Sequence, residues 1–374
     1  MKFIQKIVLS ILFLLCFIII LKYSDSTQND GSMEHKNGST FQRDRYPIDC
    51  QLVMQNDSVE IDRSIRYLNS FNLSKHLIPD SNFLLPKSKC TEFRDQRGYA
   101  RFDQFIHQIE YQFPLAFSIL TYENVEQFER LLHSIYRPHN IYCVHVDLKS
   151  SFSFKQSIQA IVGCFDNVFI STKLEFVIYA GFSRLQADLN CIQDLLHLHT
   201  LISDNHPNLK NKKLVKWKYL LNMASTEFPL KTNLEFVQIL KMLNGSNSIY
   251  INKVHKQIGN RMKKVFFNDF INEKIYPISR AYNNSPPHSI RIVKGSAYGI
   301  FERNFLANIF SNKKVLDFVE WLKSTYSPDE FFWASLELNV HLYENSSFKD
   351  SPMNYIHDVA RFNGWYGSYD CGGI

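Results

Sequence analysis

Residues 114–150 read PLAFSILTYENVEQFERLLHSIYRPHNIYCVHVDLKS, and this stretch decides the fold class. Residues 115–120 form a nearly continuous apolar run, as expected of a strand covered on both faces. Val125, Phe128, Leu131, Leu132 and Ile135 then recur at helical spacing; Pro138 ends the helix, and residues 141–146 read as a second buried strand. Strand, crossover helix and strand make a βαβ unit. Asp147 stands at the carboxyl end of the second strand, where open parallel sheets bind ligands, and is therefore a ligand candidate.

The alternation continues toward the C-terminus. Residues 168–170 make a short strand, 182–198 a helix, 219–223 a strand or a helix end, and 249–251, 290–293 and 296–301 further strands. Asn233 is expected to cap a helix over 234–243, with Glu235 favourable in its first turn. Val315, Phe318, Val319 and Leu322 form the next helical stripe. Such alternation predicts an α/β domain over 113–374 with a mostly parallel sheet flanked by helices. Residues 48–112, mixed in character, are expected to pack on it.

Upstream, residues 7–21 are apolar except for Ser10, with Lys2 and Lys6 before them and Lys22 after. The run is short against the ~20 residues of a typical spanning helix. It ends in Ile18-Ile19-Ile20-Leu21, however, with no small-residue cleavage site beside it. A transmembrane signal anchor is expected over 7–21, with 1–6 cytosolic and the polar 22–47 a luminal stem; a cleaved signal peptide is the alternative. Asn-X-Ser acceptors for glycosylation stand at Asn37, Asn56, Asn72, Asn244 and Asn345, with a poorer one at Asn283, where Pro286 follows the serine. Seven cysteines leave six outside the apolar run, an even number that points to disulfides. None has the two-residue spacing of a zinc knuckle, so no structural metal is expected.

A chain of 374 residues, 45% apolar with 31 Phe and 19 Tyr, has ample core material. The net charge of +6 is spread without a basic block, which excludes a nucleic-acid footprint and suits an anionic small substrate such as a nucleotide diphosphate. Gly-rich phosphate loops, Gly-X-Ser-X-Gly and His-Glu-X-X-His are all absent from the sequence. Candidate chemistry rests on the carboxylates Asp147, Asp188, Glu227, Asp329 and Glu330. Of these, the last two lie in Ser327-Pro328-Asp329-Glu330, followed by Phe331-Phe332-Trp333. Three aromatics beside a carboxylate pair would hold one acid partly out of water and make it a better base. The same residues also fit a helix start, with Ser327 as N-cap, Pro328 at the first position and acids complementing the dipole.

The stretch 114–150, together with CFDNVFISTKLEFVIYAGFSRLQADLNC, KWKYLLNMASTEFPLKTNLE, KGSAYGIF and TYSPDEFFWASL, resembles the beta-1,6-N-acetylglucosaminyltransferase branching family, which makes core 2 and I-type branches. The resemblance runs from about Cys50 to the C-terminus. It implies a GT-A-like, Rossmann-type domain on a single-pass type II protein of the Golgi membrane. The expected activity is inverting, metal-independent transfer of GlcNAc from UDP-GlcNAc to a 6-hydroxyl of an O-glycan acceptor, without a cofactor. Glu330 matches the family's catalytic glutamate, Asp147 its uridine-contacting aspartate and Tyr179 a tyrosine near the nucleotide; on sequence alone Asp147 is equally part of a strand-end turn and Tyr179 a packed aromatic. Arg261 matches an acceptor-binding arginine and Trp365 an aromatic sugar platform. Disulfides Cys90–Cys164 and Cys143–Cys191 are implied, with Cys50 and Cys371 either unpaired or paired with each other.

The chain also departs from that pattern. The family's acceptor-binding glutamate and lysine fall at Tyr250 and Ile258, and a tyrosine near the platform at Gly367, so UDP-Glc or UDP-Xyl is an alternative donor. The chain ends at Cys371-Gly372-Gly373-Ile374, before the segment in which the family carries the Arg and Lys that hold the diphosphate, and no Asp-X-Asp motif offers a metal instead. A non-catalytic glycan-binding or partner protein, or a shortened reading of a longer active chain, is the corresponding alternative. Lys294, just before Gly-Ser-Ala-Tyr, is expected to be a solvated surface residue.

Overall fold

The computed structural model describes residues 48–70, 78–103, 106–206, 209–252 and 256–342. The segment 7–21, the stem, Asn37, Asn72, Asn345, Trp365 and Cys371 lie outside these. Among the described residues no helix is long and apolar enough to cross a membrane.

Among the described residues four α-helices come first: α1 (Cys50–Met54), α2 (Ser58–Ser70), α3 (Cys90–Gln96) and α4 (Gln108–Tyr111). The sheet then begins with β1 (Leu115–Thr121), α5 (Val125–Ile135), β2 (Ile141–Val146), α6 (Phe152–Val162), β3 (Val168–Ile170), α7 (Phe182–Ser203) and β4 (Tyr219–Ala224). It continues through α8 (Asn233–Leu243), β5 (Ser248–Asn252), α9 (Lys256–Lys263), β6 (Lys264–Asp269), β7 (Lys274–Tyr282) and β8 (Lys294–Glu302). Three helices close the described chain: α10 (Arg303–Ser311), α11 (Lys313–Leu322) and α12 (Asp329–Leu338).

Six strands form one sheet in the order β3-β2-β1-β4-β8-β5, and β6 and β7 pair as a separate antiparallel hairpin. β1 runs parallel to β2 and β4, and β2 parallel to β3, while β8 is antiparallel to both β4 and β5. Chain order reverses between β1 and β4, so the carboxyl ends of β1, β2 and β4 border a topological switch point, where such sheets bind ligands.

Both faces are covered because alternate side chains of each apolar strand face opposite ways. Leu115, Phe117 and Ile119 pack with Val144 of β2 against α5, α6 and α8, and Phe83, Phe93 and Tyr99 of the N-terminal region join that cluster. Ala116, Cys143 and Leu220 face α7 and the α10–α12 layer, including Phe318, Phe332 and Trp333. Two disulfides staple the layers: Cys90–Cys164 ties α3 to the end of α6, and Cys143–Cys191 ties β2 to α7. These are the two pairings that the family resemblance implies.

Three local readings are corrected. Thr232, not Asn233, caps α8 through a capping box with Glu235. Asn233 is buried instead, donating to Glu110 Oε1 at 2.6 Å and accepting from Asn140 Nδ2 at 2.8 Å. Residues 290–293 are not a strand, and their backbone is held by side chains of α12 and its C-cap: Arg291 N donates to Asn339 Oδ1 and Val293 N to Ser335 Oγ. Ser327 is not the N-cap of α12; it has φ +50° and donates its N–H to Ala180 O at 2.7 Å.

Candidate active site at the carboxyl edge of the sheet

Asp147 follows β2 and is buried. Its Oδ1 accepts from Lys149 N at 3.0 Å and Val177 N at 3.3 Å, and Lys149 Nζ lies 4.0 Å from Oδ2. Burial raises its pKa above the ordinary aspartate value, opposed by these two amides. His145, also buried, is pulled down to about 4 by burial and next by the Arg184 charge. As a neutral ring it accepts Glu175 N on Nε2 at 2.8 Å. Asp147 and His145 thus hold the loop 171–181 over the end of β2.

Tyr179 projects from that loop with 80% of its surface exposed, which overturns the packed-aromatic reading. Next to it, Ala180 has φ +62°, and a Cβ on Gly181 would meet Asn268 Oδ1 of β6 at 2.7 Å. The hairpin also rests on the loop through Phe270 against Phe176, with ring centroids 6.0 Å apart. Because Ser327 N donates to Ala180 O, the loop carrying Tyr179 is tied to the start of α12.

Glu330 lies in the first turn of α12, 24% of its side chain exposed. Its Oε2 accepts from Arg261 Nη1 at 2.8 Å, and Lys294 Nζ stands 3.7 Å away. Among the described residues nothing hydrogen-bonds Oε1. Arg261, at the end of α9, lies over the Tyr326 ring at 5.2 Å and accepts Tyr326 N on its carbonyl oxygen. Lys294 is therefore not a solvated surface lysine: the first residue of β8 faces the Glu330 carboxylate.

Beneath Glu330 lies a buried polar network. Asp188 of α7 accepts from Arg184 Nη1 at 2.6 Å, Ser118 Oγ at 3.1 Å and Asn222 Nδ2 at 3.0 Å, linking α7 to β1 and β4. Burial pushes Asp329 up to about 6; Arg184 opposes the rise, and Glu330 and Asp188 add to it. Its Oδ1 has no hydrogen-bond partner among the described residues. Asp188 is thus a structural carboxylate rather than a cleft residue. Glu227 is likewise occupied, accepting Ala224 N at 2.9 Å in the turn after β4. Sequence reading missed Lys294 as a neighbour of Glu330, Arg184, and the hairpin. Of these, only Arg184 left a local signal: four residues before Asp188, it forms an i,i+4 pair. Among the described residues no cluster of three His, Cys, Asp or Glu is arranged to hold a metal ion.

Of the two candidate exposed glycosylation acceptors described, Asn56 and Asn244 both sit at positive φ on the surface. Asn283 differs. Its Nδ2 is committed to Met262 O and Lys264 O, and its Oδ1 accepts Ser324 Oγ.

A six-stranded, mostly parallel sheet covered by helices on both faces, with carboxylates gathered at its switch-point edge, has the architecture of a GT-A-like glycosyltransferase. Residues 115–365 match the family model described as Core-2/I-Branching enzyme, and the chain belongs to that family. It is 36% identical over 331 residues to human "Beta-1,3-galactosyl-O-glycosyl-glycoprotein beta-1,6-N-acetylglucosaminyltransferase 3", covering 87% of this chain and 70% of that protein. The Bos taurus protein of the same name is 37% identical over 325 residues, covering 86% and 68%. A Bovine herpesvirus 4 protein, "Beta-1,3-galactosyl-O-glycosyl-glycoprotein beta-1,6-N-acetylglucosaminyltransferase", is 36% identical over 350 residues, covering 91% and 74%. The chain is accordingly an enzyme, a glycosyltransferase of the branching type.

Proposed function

We propose that this enzyme transfers GlcNAc from UDP-GlcNAc to a 6-hydroxyl of an O-glycan, in one inverting step and without a metal ion, with Glu330 as the base. The observation that carries this reading is the state of the Glu330 carboxylate. Arg261 and Lys294 both engage Oε2, which leaves Oε1 as the atom to receive a proton. An alcohol is a poor nucleophile, and a positioned carboxylate that takes its proton as the bond to the anomeric carbon forms typically contributes 10²–10⁴-fold. The electron pair of the broken glycosyl–phosphate bond leaves with UDP. Asp147 and Tyr179 take the uridine side and Arg261 the acceptor side, with Trp365 as a sugar platform.

The setting is proposed to be the Golgi lumen, with residues 7–21 as a type II anchor in the bilayer. Two disulfides support an oxidising compartment. Exposed Asn56 and Asn244 support glycosylation there. The test is the full chain, made in secretory cells and assayed with UDP-GlcNAc, UDP-Glc and UDP-Xyl on a Gal-GalNAc acceptor. GlcNAc transfer that resists chelation and falls by roughly 10²-fold or more in Glu330→Gln is expected. Full activity in that variant sinks the assignment of the base, and a metal requirement sinks the metal-free mechanism.

A further inference from the structure

The loop 171–181 has no regular strand or helix, yet buried side chains fix it along its length. Asp194, buried on α7, accepts from Ser171 Oγ at 2.9 Å, Thr172 N at 2.7 Å and Thr172 Oγ1 at 2.7 Å. One turn earlier Asn190, also buried, donates to Glu175 Oε1 at 2.7 Å and Lys173 O at 3.3 Å. Cys191, beside Asn190, is bonded to Cys143 of β2, so the helix that supplies these anchors is itself fixed to the sheet. Among the described residues Asp194 has no cationic partner, and its charge is met only by donors from the loop. A buried carboxylate compensated in this way is a costly means of filling space, and an apolar side chain would pack there with less desolvation. What an apolar residue cannot do is hold three donors of an irregular segment in one geometry.

We propose that Asp194, supported by Asn190, is the positioning residue of the donor side: through Ser171 and Thr172 it presets the loop so that Asp147 and Tyr179 meet the uridine nucleotide already in place. This rests on the donor reading of Asp147 and Tyr179. A preset loop does not lose ordering entropy when the ligand binds, so its loosening weakens donor affinity and leaves the acceptor side unchanged.

The experiment compares full-length wild type, Asp194→Asn and Thr172→Val for UDP binding, for KM of UDP-GlcNAc and of acceptor, and for amide exchange of residues 171–178. Asp194→Asn is expected to raise the donor KM roughly tenfold, with acceptor KM and kcat within about twofold, and to speed exchange in the loop alone. Thr172→Val is expected to give a smaller rise of the same kind and to add nothing in the Asp194→Asn background. It carries the test by itself if Asp194→Asn does not fold. Wild-type donor KM in the folded variants, or donor and acceptor KM rising together, overturns the proposal. Faster loop exchange with unchanged UDP affinity overturns it alone, whereas a wild type that binds no UDP overturns the donor reading beneath it.

Discussion

At the scale of single residues, two adjacent acids in one motif have opposite surroundings. Glu330 is partly exposed, while Asp329 is buried with one oxygen unpartnered among the described residues. The folded pKa of Asp329, about 6, lies above the ordinary aspartate value of 3.8, so the native state binds this proton more tightly than the unfolded chain does. Its contribution to stability is therefore present below about pH 4 and lost as pH rises through about 6, on the order of 2–3 kcal/mol. Asp329→Asn is expected to remove that slope. Urea unfolding from pH 4 to 7 should show the variant gaining on wild type by about that amount as pH rises; a constant gap contradicts the shift. Ser-Pro-Asp-Glu was legible as a candidate site because acid and aromatic residues are contiguous there. Its partners were not, because Arg261 stands 69 positions from Glu330 and only the fold brings the two together.

At the scale of elements, β1, β2 and α5 were readable because each carries its apolar residues at one clean period over a buried face. The hairpin of β6 and β7 was missed because its strands are half-exposed or exposed along most of their length and carry no such pattern. Residues 290–293 were read as a strand because Ile290 and Val293 are core residues, but their backbone partners are side chains from α12 and its C-cap. The contact of α12 with β8 depends on Gly295, where a Cβ would collide with Tyr250 O of β5 and meet Ala334 Cβ of α12 at 2.6 Å. Gly295→Ala is expected to destabilise by about 1–3 kcal/mol, and to lower kcat because any outward shift of α12 moves Glu330. Thermal unfolding and turnover measured on one preparation check both; wild-type values for the two place the strain elsewhere. The Cys143–Cys191 bridge closes a sequence separation of 48, and its removal by Cys143→Ala with Cys191→Ala should cost about 4 kcal/mol on the chain-entropy account, read as a lowered unfolding midpoint.

At the scale of the whole molecule, histidines that the fold buries as neutral rings work against stability in acid. His139 and His145 are each depressed to about 4, His139 by burial first and then by Arg137 and Lys213, His145 by burial and then by Arg184. Both folded values lie below the ordinary histidine value of 6.5, so the unfolded chain binds these protons first. Their contribution is present above about pH 6.5 and lost as pH falls through 4, opposite in sign to that of Asp329, and at roughly 3 kcal/mol each the two histidines outweigh it. Wild type should therefore lose stability between pH 6.5 and 4. The two rings separate cleanly by substitution. Neither nitrogen of His139 has a hydrogen-bond partner among the described residues, so His139→Phe forfeits only the titration: stability near pH 7 is kept and the acid slope is reduced. His145 accepts Glu175 N, so His145→Phe leaves a loop amide unpaired and is expected to destabilise by about 1–3 kcal/mol near pH 7, a deficit that closes as pH falls because wild type alone then loses the His145 contribution. Urea midpoints at pH 4, 5, 6 and 7 distinguish the cases, and an unchanged slope in His139→Phe assigns the acid loss to other groups.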